Sequence, residues 1–144
     1  MSARLRRAAR LLDLAQEKVD LARIRLAEAR GAVAEARAEI GRCEDAWTQA
    51  ARASCGELTV VTELERQSSH LRTLRLRAEA AGRRLAEATA VERRCESSLV
   101  EVSTQRRKLE LWLERMAGAE HEEQRRAESR ATDELAARTL RERS

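Results

Sequence analysis

The chain has 144 residues, no Pro, five Gly and two aromatic residues, Trp47 and Trp112. Charged residues make up 38%, and 29 basic residues against 25 acidic ones leave a formal net charge of only +4. Without Phe or Tyr there is little to fill a globular core, so the composition excludes a compact domain and predicts an extended helical coiled coil with its apolar area along a seam.

The N-terminus is basic, but Asp13, Glu17 and Asp20 follow too soon for the apolar core of a signal peptide. No run of about 18 apolar residues is present, so no membrane span or direct membrane insertion is expected, and a cytoplasmic protein is the default. The two signs of charge are interleaved, as on a solvated helix surface. With no basic stripe and no set of stacking aromatics, no nucleic-acid partner is expected. A DNA-associated coiled coil would instead show binding that falls steeply with salt.

Residues 3–53 read as one helix. With Leu5 as position a of a heptad, the a column is Leu5, Leu12, Val19, Leu26, Val33, Ile40 and Trp47. The d column is Ala8, Ala15, Ala22, Ala29, Ala36, Cys43 and Ala50. No charge interrupts either column, which marks a narrow seam made for another helix. The small d column asks for a mate with large residues opposite. Gly31 and Gly41 weaken this helix by about 1 kcal/mol each relative to Ala, but no Pro or turn cluster accompanies them, so the helix stays continuous. Leu11, Leu14, Leu21 and Ile24 form a second apolar set off the seam. A wide stripe is common in packed helices, yet a two-helix protein has no third layer to cover it, and a partner surface is favoured here.

Residues 54–59 are the one convincing break. Gly56 can take the left-handed conformation that ends a helix. Thr59 or Thr62 can cap the next helix, with Glu65 completing a capping box after Thr62. The second helix then runs over about 60–140. Its columns are Leu64, Leu71, Ala78, Leu85, Glu92, Leu99, Arg106 and Leu113, and Leu74, Ala81, Ala88, Cys95, Val102, Leu109 and Met116. A short connection makes neighbouring helices antiparallel. The expected fold is all-α: one antiparallel two-helix coiled-coil hairpin over residues 1–144, with a longer second helix. Folding about Gly56 and Glu57 sets Leu26 against Ala88, Val33 against Ala81, Ala29 against Leu85, Ala15 against Leu99, Cys43 against Leu71 and Ala50 against Leu64. Large faces small in layer after layer. Leu5 meets Leu109, so residues past about 115 overhang by up to roughly 40 Å at helical rise. The segment Glu120 to Ser144 is dense in charge and thin in seam residues, a marginal helix held by Glu–Arg pairs.

Nothing in the chain looks catalytic, and no cofactor is expected. His70 and His121 are isolated and read as solvated helix residues. The three cysteines, Cys43, Cys55 and Cys95, are odd in number, widely spaced and without CxxC spacing, which argues against metal or redox chemistry. Cys43 and Cys95 read as small seam residues. Glu92 and Arg106 interrupt the second seam, where they either snorkel to water or fix the register. Trp47 reads equally as core or as an interface anchor.

The chain resembles the FliJ/YscO family, the stalk proteins of flagellar export and type III secretion. One local likeness is Leu11-Leu12-Asp13-Leu14-Ala15 followed by Val19. The other runs from Lys108-Leu109-Glu110 and Glu114-Arg115 through Glu128-Ser129-Arg130 to Asp133-Glu134-Leu135-Ala136-Ala137-Arg138. The resemblance implies a fold like the central stalk of rotary ATP synthases. It implies that the paired terminal ends enter the pore of a hexameric type III secretion ATPase, at the inner membrane's cytoplasmic side. The hairpin end would face the export-gate membrane protein, and secretion chaperones are possible further partners. On this view Leu11, Leu14, Leu21, Ile24, Arg126, Asp133, Glu134 and Arg138 meet the ATPase, and Trp47 and His70, near the tip, meet the gate. The competing expectation is a generic coiled-coil scaffold or adaptor, homodimeric and continuous, which would have no need of the break at Gly56.

Overall fold

The structure, a computed structural model, describes residues 2–54 and 61–144. Two helices account for nearly all of them: α1, Ala3–Ser54, and α2, Val61–Arg143. Ala, Leu, Arg and Glu, all strong helix formers, dominate both. Gly31 and Gly41 remain helical, as expected. Ser2 caps α1: its Oγ accepts the Leu5 N–H at 3.1 Å, and its carbonyl accepts the Arg6 N–H at 3.1 Å. The expected turn residues Gly56 and Thr59 lie outside the described residues. Thr62, the other expected cap, is already inside the first turn of α2.

The α1 seam is where the heptad pattern puts it. Among the described residues, ten of the twelve in the buried core lie on α1, and all ten belong to its two predicted columns. Leu12, Ile40 and Ala50 are half-buried, and Trp47 is 44% exposed. On α2 only Leu74 and Ala81 are fully buried. Leu71, Leu85, Leu99, Leu109 and Leu113 are half-buried, while Leu64 and Ala78 are exposed despite their seam positions.

Contacts cluster into two units, one of residues 1–20 and 101–144, the other of residues 21–100. In each, α1 and α2 run antiparallel. In the first, the Ser2 hydroxyl donates to the Glu120 carboxylate, and Arg106 Nη1 donates to Gln16 Oε1 at 2.8 Å. In the second, Arg77 Nε donates to Glu39 Oε1 at 2.9 Å. These helices form the expected hairpin, α2 being the longer.

The register differs from the expected one. Pairing by size sets Ser2 beside Trp112 and Gln16 beside Ser98. The structure joins Ser2 to Glu120 and Gln16 to Arg106, about one heptad further along α2. In the second unit, Cys43 shares a groove with Leu74 and Ala78, and the Glu39–Arg77 bond lies two residues from the expected pairing. Ala22 shares one with Cys95 and Ser98. A slip of one heptad returns every column to a column, so apolar pairing by size discriminates weakly between the two registers. Polar seam residues discriminate strongly. The size-matched register would set Arg106 against Ala8, which offers its side chain no acceptor. The uncovered segment therefore begins later than expected: Glu120 is half-buried, and every residue of 121–144 is exposed.

Candidate partner-binding surfaces

In the terminal unit, Leu11 and Leu14 are 48% and 53% exposed. Their positions on α1 follow from the heptad: Leu12 and Ala15 turn into the seam, which leaves Leu11 and Leu14 on its flank. Trp112, 42% exposed, lines a shallow groove with Arg4, Arg115, Met116, Ala119, Glu120 and Glu123. Beyond Glu120 lies the charged part of α2. Arg126 Nε pairs with Glu122 Oε1 at 3.3 Å, which holds it along its own helix. Asp133, Glu134 and Arg138 are exposed and make no ion pair among the described residues. The four tail residues expected to meet a partner thus belong to the same unit as Leu11 and Leu14. They sit past the start of α1, so no contact joins the two groups.

This tail, dense in charge and thin in seam residues, also presents Leu135 and Leu140, 64% and 70% exposed. The signal was present, since two leucines in an otherwise polar segment have no seam to enter, but no column included them.

In the second unit, Leu21 and Ile24 are 47% and 56% exposed on α1. Trp47 borders an open groove of about 620 Å³ lined also by Ile40, Cys43, Glu44, Thr48, Leu74, Arg75 and Ala78. Its indole is therefore one wall of a largely apolar depression rather than buried core. His70 is exposed on α2 and is not part of that lining. The two residues expected to act together near the tip are not brought into one depression. Leu76, 59% exposed, is an apolar surface residue that the heptad columns did not single out.

The strongest polar cluster lies in this unit. Glu39 Oε2 accepts Arg42 Nε at 2.9 Å, while its Oε1 accepts Arg77 Nε at 2.9 Å. Arg42 Nη2 also reaches Glu35 Oε1 at 2.8 Å. The Arg42 hydrogen bond, followed by that of Arg77, holds the Glu39 carboxyl below its ordinary value. The buried Cys43 thiol lies 3.7 Å from the same Glu39 oxygen that Arg77 uses. The cluster ties α1 to α2, and Glu35, Glu39 and Arg42 line an open groove of about 400 Å³ together with Arg84, Glu87, Ala88 and Val91. Among the described residues no group of three or more His, Cys, Asp or Glu is placed to hold a metal ion. No helix is long and apolar enough to cross a membrane.

A family model described as Flagellar FliJ protein matches residues 5–144. No curated protein and no solved structure matches the chain.

Proposed function

Since the chain belongs to the Flagellar FliJ protein family, whose members are non-catalytic stalk proteins of flagellar and type III export, we propose that it is the stalk of a type III secretion ATPase complex. The match over nearly the whole chain carries this reading, because the seam, both helices and the charged tail all fall inside it. In the proposed role the terminal ends of α1 and α2 enter the pore of the hexameric ATPase and promote its assembly and activity. Leu11 and Leu14, with Leu21 and Ile24 further along α1, supply apolar contacts. Arg126, Asp133, Glu134 and Arg138 supply charged ones. Trp47 and His70 contact the export-gate protein, and secretion chaperones are further candidates. The place of action is the cytoplasmic side of the inner membrane at the export apparatus.

Two observations support this assignment of surfaces. Burying an exposed Leu contributes about 1.5–3 kcal/mol, so four half-exposed aliphatic side chains on one helix are a substantial reserve for a partner. The tail residues Asp133, Glu134 and Arg138 are exposed and make no ion pair among the described residues. The scaffold alternative loses ground because the α1 seam is filled by α2 of the same chain.

The test is titration of the protein into the secretion ATPase of the same organism, following ATP hydrolysis and hexamer formation together. Stimulation saturating near one chain per hexamer is expected. Absence of binding, with neither signal changed, would overturn the stalk assignment.

A further inference from the structure

Among the described residues, Arg106 is the charged seam residue of α2 that donates a hydrogen bond to the opposite helix. Its Nη1 donates to Gln16 Oε1 at 2.8 Å, while its Nε is buried without a hydrogen bond among the described residues. The bond to Gln16 is therefore the direct compensation for placing this guanidinium in the seam. Gln16 is itself oriented. Its Nε2 donates to Asp20 Oδ1 at 2.9 Å, one turn along α1, which turns the carbonyl oxygen toward Arg106. Ser2 and Glu120 make a second bond across the same unit, in the same register.

The apolar columns do not choose between this register and the one a heptad away, whereas the polar residues do. The sequence also repeats the acidic half of the device one heptad earlier: Asp13 stands to Ala9 as Asp20 stands to Gln16. Only the glutamine is missing there.

We propose that Asp20, Gln16 and Arg106 form a register latch. It holds the terminal unit in one of two helix pairings a heptad apart, and its release lets α2 slide along α1 by about 10 Å. Sliding toward the size-matched register brings Trp112 to the position Glu120 now holds beside Ser2. It uncovers about two more turns of α2 ahead of the tail. The latch rests on the geometry of this unit alone. If the stalk role holds, the latch sets how far the tail reaches into its partner.

Site-specific disulfide formation tests the latch in the full chain, with Cys43, Cys55 and Cys95 replaced by Ala. Leu12→Cys with Leu109→Cys reports the observed register, and Leu12→Cys with Val102→Cys reports the alternative. With Gln16 and Arg106 intact, the first pair should oxidise readily and the second at least about tenfold more slowly. Moving the glutamine by one heptad (Ala9→Gln with Gln16→Ala) should reverse that preference, because Asp13 then orients Gln as Asp20 does now. Unchanged preference in the moved variant overturns the latch. Gln16→Ala alone should let both pairs form, and continued exclusion of the second pair would also overturn it. Circular dichroism on the same samples separates sliding from unfolding, since sliding preserves helicity. Should the moved variant lose helicity, Arg106→Leu gives the decision: formation of both pairs supports the latch and formation of only the first overturns it.

Discussion

Val19 and Cys43 are the largest fully buried side chains among the described residues, Val19 in the column of large residues and Cys43 in the column of small ones. Val19→Ala removes two buried methyl carbons from a seam only one side chain thick. It should cost about 2 kcal/mol, read as a lower midpoint in urea unfolding with an unchanged slope. Ala29, also buried, should not tolerate enlargement: Ala29→Leu forces the helices apart at a cost of about 1–3 kcal/mol. Glu39 gives a prediction in pH. Its folded carboxyl titrates below the ordinary value of 4.5 because Arg42 and then Arg77 donate hydrogen bonds to its charged form. The unfolded chain therefore binds the proton first on acidification. The contribution of Glu39 is fully present above that ordinary value and is lost as pH falls through the lower folded one. Melting temperatures measured between about pH 6 and pH 3 should fall more for the wild type than for Glu39→Gln. Parallel profiles would show that the arginines do not favour the folded carboxylate.

Between residue and molecule, each helix follows a different rule. α1 is continuous because nothing in it breaks the heptad, although two glycines weaken it. A methyl group added at Gly31 or Gly41 meets nothing within 4 Å. Gly31→Ala and Gly41→Ala should each stabilise the protein by about 1 kcal/mol, visible as a higher melting temperature, additively in the double variant. α2 behaves differently along its length. Up to Glu120 it carries half-buried seam residues, and from His121 onward every side chain is exposed. Its tail is held by pairs within the helix, such as Arg126 with Glu122, each contributing only a few tenths of a kcal/mol. Deleting residues 121–144 should therefore shift the melting temperature of the remainder by less than about 3 °C.

For the whole molecule, the same deletion separates stability from function. The shortened chain should fold yet stimulate the secretion ATPase weakly. Replacing two flank leucines, Leu14→Asp with Leu21→Asp, should leave helicity near normal and weaken ATPase binding at least about tenfold, since burial of both is lost. Equal binding by that variant would remove the leucines from the contact surface, leaving the tail as the remaining candidate.

How much of this was determined by the sequence alone depends on the range of the interaction. The two helices, the α1 seam and the exposed Leu11, Leu14, Leu21 and Ile24 all follow from heptad spacing, which is local and repeats along one chain. The register did not follow from it. A one-heptad slip leaves the column pattern unchanged, so Leu26 and Val33 meet small neighbours either way, Ala88 or Cys95 for the first and Ala81 or Ala88 for the second. What tells the registers apart is a long-range polar bond, Gln16 to Arg106, between residues that no local pattern connects. The same limit applies to the surfaces. Exposure of Trp47 beside Leu74 and Ala78, and the separation of His70 from that groove, depend on how the two helices are aligned. Spacing within one helix sets which face a residue occupies; only the packed pair decides what stands across from it.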